Sequence, residues 1–480
     1  MRTLILSSLS ILGGLTTVHA QHWVPYGFYA YKQNPQKAPD QEQPSGQQLM
    51  IVEASASDAM IANFSEYEAG LIYFDDPNAG YYADPDLAYT SKKVEKPKKE
   101  KPYKEPKESC AKRCIENWWV EGDYLLVWMK KGDIDAPLIA TGEATDPIPG
   151  AYGQPNTHVV FGNKHYNYHR KSGVRGSVGG FVGTDGELAF DIDGFWIFST
   201  EKKFHIASDA AGSPLISRPF FDVRTGTENA ELVSDPLFYS GDSRALVKTQ
   251  FWGAEMNFGY RPCKSSNWAD VSVGFRYLHL REKLRIRDEM VPFATPSGLS
   301  FNGSAHPVEA PDTLRDEDEF RTVNNFYGGQ IGLRAEYANC WATLGFFGKI
   351  GLGVTQEKYK TDGETTWNSS VFGPQYASGG VLVQPNNMVH RSTWRFAYIP
   401  EAGVDFAIQP CDGIRLLVGY SFLWWSKVVR PGEQMDRNVN SGQIPGNSAF
   451  YTPAAQLPSN HLHDTSFWMQ TVNFGIMFDF

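Results

Sequence analysis

The sequence predicts an all-β protein: a closed antiparallel transmembrane β-barrel of about ten strands, preceded by a long, mostly disordered N-terminal extension. Four observations carry that expectation. The final stretch, VNFGIMFDF, puts Val472, Phe474, Ile476, Phe478 and Phe480 on one face of a strand. Asn473, Gly475, Met477 and Asp479 fall on the other, because successive side chains leave opposite faces of a pleated chain. The composition is rich in aromatics and glycine, with 30 Phe, 23 Tyr, 13 Trp and 45 Gly among 480 residues. Beyond the first 20 residues, no apolar run approaches the ~20 residues a spanning helix needs. Short and long connections alternate between the strand-like stretches, as in outer-membrane barrels.

The elements follow in chain order. Residues 1–20, MRTLILSSLSILGGLTTVHA, have the form of a cleaved signal peptide. Arg2 supplies the charge, Leu4 to Leu15 the apolar stretch, and Val18-His19-Ala20 the small-residue cleavage site, so the chain is expected to be exported. Residues 21–91 form an acidic extension in which Asp40, Glu42, Glu53, Asp58, Glu66, Glu68, Asp75, Asp76, Asp84 and Asp86 face only Lys32 and Lys37. Residues 92–109 are a Lys/Pro/Glu-rich tether, KKVEKPKKEKPYKEPKES, expected to be an extended solvated spacer. Neither segment shows a hydrophobic period, so low order is expected in both.

Residues 110–480 are expected to hold the barrel. Alternating stretches begin with WWVEGDYLLVWM (118–129), VRGSVGGFV (174–182) and LAFDIDGFWIF (188–198). They continue with FWGAEMNFGY (251–260), ADVSVGFRYLH (269–279), NFYGGQIGLRAEY (325–337) and ATLGFFGKIGLGV (342–354). TWRFAYIPEAGVDFAI (393–408), GIRLLVGYSFLWW (413–425) and SFWMQTVNFGIMFDF (466–480) complete ten. Short links (GTDGE, RPCKSSN, ANC, QPCDG) alternate with long ones such as 199–243, 283–320 and 427–463. The short links are expected on the periplasmic side and the long ones outside. An even strand number puts both barrel ends on the periplasmic side, and open edges are not tolerated in lipid. HVVFG at 158–162 is the main candidate for a further strand, which would make the barrel one of twelve or more.

The shape Gly475-x-x-Phe478-x-Phe480 is similar to the signal that barrel-assembly machinery reads at the end of such chains. Residues 110–480 resemble the BBP-seven type of outer-membrane β-barrel family, seen in planctomycete and chlamydia-related envelopes. The resemblance rests on GDYLLVWMKKGDIDAPLIATG (122–142), SRPFFD (217–222), GAEMNF (253–258) and VGFRYL (273–278). NFYGGQIGL (325–333), VGY (418–420) and VRPGEQMD (429–436) complete it. It implies a fold and a place in the cell outer membrane, with outer-membrane lipid and the assembly machinery as partners. It implies no substrate or cofactor, and the extension before the barrel departs from the family pattern.

The five cysteines, Cys110, Cys114, Cys263, Cys340 and Cys411, all fall before the first strand or in short links. That places them at the expected periplasmic rim, in an oxidising compartment. Five is odd, so at least one is left over for a partner chain or a free thiol. Cys110-x-x-x-Cys114 has no histidine nearby and is a weak metal signal. The resemblance to cysteine-cross-linked envelopes implies disulfides at the rim, some to other envelope proteins, with the connectivity open.

The inward positions carry Glu121, Asp123, Asp191, Asp193, Glu255, Asp270, Glu336, Glu401, Asp405 and Asp479 against Arg175, Arg276, Arg334, Lys349, Arg395 and Arg415. In a narrow barrel side chains fill the interior, and charges withdrawn from water must pair, so a lumen-crossing network is expected. His461, His463, Asp464 and the acidic run Asp316–Glu319 sit at expected loop ends, where solvated charge is a commoner role than catalysis. His165 and His169 have helical ligand spacing with nothing to mark a helix, and Asn302-Gly303-Ser304 reads as a turn. A net charge of −10 argues against nucleic acid. The expected role is a structural or surface-display barrel, neither enzyme nor metal protein; the alternative is a porin-like passage for small solutes.

Overall fold

The computed structural model describes residues 118–480 apart from 167, 183–186, 262–266, 340, 449, 451–456 and 461. The expected signal peptide, acidic extension and tether, together with Cys110, Cys114, Cys263 and Cys340, lie outside the described residues. The strands are β1 (Trp118–Met129), β2 (Gly132–Gly142), β3 (His158–Tyr166), β4 (Lys171–Val182), β5 (Leu188–Ala207) and β6 (Leu215–Asp222). They continue as β7 (Thr227–Ser234), β8 (Tyr239–Tyr260), β9 (Asn267–Pro292), β10 (Thr313–Ala338) and β11 (Ala342–Ser369). The rest are β12 (Gly373–Ser378), β13 (His390–Cys411), β14 (Ile414–Val429), β15 (Asn438–Val439) and β16 (Asp464–Asp479).

Ten of these strands make the wall, in the order β10-β9-β8-β5-β4-β1-β16-β14-β13-β11, and a β10–β11 pairing closes the ring. All ten stretches expected from alternation are wall strands. The seam between the first and last wall strands runs from Trp119↔Asp479 to Met129↔Met469. Trp118 and Phe480 exchange backbone hydrogen bonds of 3.0 and 2.9 Å at its end. HVVFG is a strand, but β3 pairs with β2 in a second sheet, so the wall holds ten strands rather than twelve.

The wall strands run past the expected boundaries. The link expected over 283–320 shrinks to 293–312, because β9 continues to Pro292 and β10 begins at Thr313. Likewise β5 reaches Ala207 and β8 begins at Tyr239, within the link expected over 199–243. The period of two persists there, but the polarity inverts. In β9 the outward side chains are Val271, Val273, Phe275 and Tyr277, then Arg281, Lys283, Arg285 and Arg287. The inward ones change from Asp270 and Arg276 to Leu278, Leu280, Leu284, Ile286 and Met290. A strand read for a greasy outer face therefore ends too early.

Rings mark the boundary on the outside. Trp196, Trp252, Tyr277, Tyr327 and Trp394 touch in sequence, with centroids 6.0, 5.1, 5.1 and 6.1 Å apart. On the short-turn side of that belt the exposed residues are Val271, Val273, Phe275, Ile331, Leu333, Phe346, Ile350, Phe474, Ile476 and Phe478. An apolar band with an aromatic girdle on a closed barrel is a surface made for lipid.

Above the belt the tall strands enclose a folded head. A second sheet, β15-β6-β2-β3 with β7 on β6, is built from the three connections β1–β4, β5–β8 and β14–β16. β6, LISRPFFD, is buried on both faces, as expected of a strand covered on both sides. Its Arg218 donates to Asp288 of β9 at 2.6 Å and to Asp318 of β10 at 2.9 Å. Arg430 donates to both carboxylate oxygens of Glu282 at 2.8 Å and to the Tyr168 hydroxyl at 2.6 Å. Two buried guanidinium groups thus fasten the head to the inner wall.

Candidate functional site: a charged lumen between two apolar layers

Below the head, inward rings close the barrel at mid-height. Phe251 of β8 meets Phe467 of β16 at 5.1 Å and Trp425 of β14 at 6.5 Å, while Phe326 of β10 reaches Trp425 at 6.1 Å. Those strands are not neighbours in the wall, so these contacts cross the lumen. Leu125, Val127, Ile197, Leu278, Leu280, Ile399, Leu423 and Met469 complete this septum, all essentially buried. Trp425 also donates its indole N–H to Thr355 Oγ1 at 2.8 Å, which satisfies its polar atom as a buried Trp requires. A smaller apolar layer of Trp119, Ala189, Ala407, Leu417 and Met477, with Phe181 against it, lies at the short-turn end.

Between the two layers is a cavity of about 140 Å³ lined by both signs of charge. Arg276 of β9 pairs at 2.5 Å with Glu255 of β8 and at 2.5 Å with Glu401 of β13, three positions away in the wall. Lys349 of β11 reaches the same Glu255. Arg175 of β4 donates to Asp123 of β1 at 2.6 Å and lies 3.7 Å from Glu121. Arg334 pairs with Glu336 at 3.1 Å, and Arg415 with Asp479 at 3.3 Å. Asp191 accepts from Asn257 at 2.8 Å, and Asp193 and Asp405 line the same cavity. Glu255 and Arg276 sit at the centre, since each holds two partners from other strands.

Arg395 departs from the expectation. It has the inward parity of Glu401, but it stands above the septum, half-exposed, 3.6 Å from Asp464. Parity along a strand is readable from sequence; height is not. Cys411 is an exposed free thiol at the end of β13. The expected link QPCDG is correspondingly tighter, because Cys411 already pairs with Ile414. Gly413 takes φ 74° there, a left-handed conformation that favours glycine. Gly475 faces inward, and a Cβ on it would collide with the Asp123 carboxylate, so glycine makes room for the Arg175 pair. Phe478 and Phe480 face outward and are exposed.

Sequence reasoning missed several residues. Arg261, read as part of a turn, stacks on Trp268 at 3.2 Å and lies 3.6 Å from Asp270. Asn257 of β8 and Gln330 of β10 hydrogen-bond over Gly274 of β9, beside Asp191. Asp316 to Glu319, expected at a loop end, lie within β10; Asp316 and Asp318 are buried while Glu317 and Glu319 face outward. His165 contacts Asp133 at 2.6 Å, and His463 sits beside Gln434; His461 lies outside the described residues. Among the described residues no group of three His, Cys, Asp or Glu could hold a metal ion. Charges flanked by apolar residues on both sides, as in SRPFFD, were the available signal for the head anchors.

Comparison with known protein families agrees with this architecture. The model of a family described as "Putative beta barrel porin-7 (BBP7)" matches residues 119–480. No curated protein matches the chain. Among solved structures, the outer membrane protease OmpT from Escherichia coli is 7% identical with a TM-score of 0.36, covering 78% of this chain and 100% of that one. A Pseudomonas aeruginosa FadL homologue is 12% identical with a TM-score of 0.22, covering 76% and 90%. A TodX mutant, a monoaromatic hydrocarbon channel, is 9% identical with a TM-score of 0.21, covering 76% and 91%. With the family match spanning the whole wall, this chain belongs to the beta barrel porin-7 family.

Proposed function

We propose that the protein is a blocked outer-membrane barrel: a rigid transmembrane scaffold that carries a folded head on the outer surface rather than a standing-open pore. The observation that carries the reading is the septum, where Phe251, Phe326, Trp425 and Phe467 meet across the lumen. Ten strands enclose too narrow a space for the aqueous channel of a sixteen-stranded porin. The paired charges below the septum are then structural, holding opposite walls together. Short links on the periplasmic side put the head outside. Phe480, in the closing seam, fits a reading of the last strand by barrel-assembly machinery. Cys411 at the short-turn end is available to a partner envelope protein, which supports the linkage part of this reading.

Planar-bilayer recording of the refolded full chain tests the reading. The expected result is no steady conductance from wild type, and brief noisy openings once Phe251→Ala or Trp425→Ala thins the septum. Stable wild-type channels whose ion selectivity changes with Arg276→Ala would instead support the porin-like passage. Non-reducing electrophoresis of native envelopes tests the linkage separately: species above 53.7 kDa that collapse on reduction are expected, and monomer alone would remove it.

A further inference from the structure

Strand register brings a block of cations together on the outside of the wall. Outward on β8, β9, β10 and β11, Lys248 stands opposite Lys283, Lys283 opposite Arg321, and Arg321 opposite Lys360. One row closer to the aromatic belt, Gln250 faces Arg281, Arg281 faces Val323, and Val323 faces Lys358. The next row down holds Trp252, His279, Asn325 and Gln356, with Trp394 of β13 beyond. Two adjacent rows on four strands therefore contain six cations and no carboxylate.

Like charges directly opposite each other destabilise a sheet, so a row of four needs compensation. The chain supplies only part of it. Glu319, one row higher, serves Lys283 at 2.5 Å, Arg285 at 2.8 Å and also Arg321. Asp362 takes Lys360 at 2.6 Å, and Glu201 at the edge takes Lys248 at 2.8 Å. Arg281 and Lys358 have no ion pair among the described residues. Higher on the same strands the outer face becomes mixed, with Arg287 on Glu317 and Arg315 on Glu289. The excess is confined to the two rows above the belt.

Position identifies what those rows meet. Residues two apart rise roughly 7 Å along a strand, and neighbouring strands lie about 4.8 Å apart. The block thus spans about 15 Å of wall at roughly 7–14 Å above the row of Trp252 and Trp394. Aromatic girdles sit at the membrane–water interface, so the cations lie at headgroup height. The block is also one-sided. β1, β4, β14 and β16 are 12, 12, 16 and 16 residues long, against 22, 26, 26 and 28 for β8 to β11.

We infer that the outer face of β8 to β11 is a docking surface for a phosphorylated lipid headgroup of the surrounding leaflet, one bearing two phosphates. Arg281 and Lys358 stand on either side of Val323, two strands apart, and neither has a carboxylate partner among the described residues; two phosphates on one headgroup reach both and share the lysines and arginine above them. The inference rests on the membrane reading of the apolar band. It goes beyond the scaffold role by assigning a ligand class to one side of the barrel.

The test uses the full chain in phosphatidylcholine nanodiscs containing one-tenth diphosphoryl lipid A. Lipid retained through purification is counted by native mass spectrometry. Wild type is expected to retain diphosphoryl lipid A over phosphatidylcholine, with retention falling sharply between 0.05 and 0.5 M salt. R281Q/K358Q, which breaks no ion pair, is expected to cut retention about thirtyfold from the usual electrostatic value of a juxtamembrane cation. A second variant, K248Q/K360Q, is expected to do the same and guards against a folding failure in the first. Heat-modifiable migration reports the barrel separately: intact migration with no preference for lipid A in wild type overturns the docking surface alone. Loss of the heat-modifiable form in wild type would instead remove the membrane reading. Equal retention by wild type and both variants also overturns the proposal.

Discussion

The two halves of β9 obey the same alternation and face opposite solvents. From Val271 to Tyr277 the outward side is apolar and the inward side holds Asp270, Ser272 and Arg276. From Arg281 to Glu289 the outward side is charged and the inward side holds Leu284 and Ile286. The lower half is an inside-out protein and the upper half an ordinary one, joined without a break in the ladder. The comparison teaches that the surroundings, rather than the strand, decide which face is greasy. It also explains where buried charges are tolerated. In the lower half they line the lumen and pair across it; in the upper half they gather where the head meets the wall, Arg218 on Asp288 and Asp318, and Arg430 on Glu282.

The sharpest way to break the upper half is Arg218→Ala. It leaves Asp288 and Asp318 buried without their cation, and uncompensated buried charge costs about 3–5 kcal/mol. Hydrogen exchange should show amides of residues 215–234 losing protection by that amount, while the wall strands below the belt keep theirs. Equal loss in both regions would mean that the head and the membrane band are one cooperative unit.

The next comparison uses one residue type at two heights of one strand. Val273 and Val291 are both outward on β9, 57% and 41% exposed. Val273→Arg is expected to cost about 2–4 kcal/mol of unfolding free energy in lipid, as charge does at a bilayer midplane. Val291→Arg, in water, should change it by less than about 0.5 kcal/mol. Similar values from the two would erase the boundary between the halves.

The smallest effect is a pH dependence confined to the head. Around the Arg218 guanidinium lie four carboxylates: Glu231 of β7, Asp288 of β9, and Asp316 and Asp318 of β10. Ser243 donates to Asp288, Thr365 to Asp316 and Asn447 to Glu231, while Tyr239 faces Glu231. Burial, with the neighbouring acids, pushes Glu231 up to about 7 and Asp316 up to about 8. Both are thus held protonated in the folded head and ionised in the open one above the usual carboxylate range. Their contribution is fully present near pH 4 and is lost as pH rises through 7 and 8. Head stability should fall by up to about 1.4 kcal/mol per unit and per group across that window, read as a shift in urea midpoint. Glu231→Gln with Asp316→Asn should flatten the slope.

These same residues mark what the sequence did and did not reveal. The ten wall strands were legible because lipid demands an unbroken greasy face, as in Val472, Phe474, Ile476 and Phe478. Inward parity was equally legible, so Glu255, Arg276 and Lys349 were named before their contacts could be known. Height along the barrel was not: Arg395 shares the parity of Glu401 yet stands above the septum on Asp464. The head was hidden for a related reason. Once β9 and β10 rise past the belt, their outward charges look like loop, and Asp316 and Asp318 looked like its solvated end. β6 carries no period because both faces are covered. Its pairing with β2 and β15 depends on segments distant in sequence, a register that local pattern does not encode.

One measurement reads the inversion directly. In a background with all five cysteines replaced, nitroxide labels are placed one at a time at outward positions of β9, from Val271→Cys through Phe275→Cys, Tyr277→Cys, Arg281→Cys and Arg285→Cys to Glu289→Cys. The collision rate of each label with dissolved oxygen and with a water-soluble nickel chelate is then recorded in bilayers. The account predicts oxygen-dominated collisions up to Tyr277 and a switch to the chelate between Tyr277 and Arg281, with no change in strand periodicity. Chelate-dominated collisions along the whole strand, or a switch elsewhere than at the aromatic belt, would contradict it.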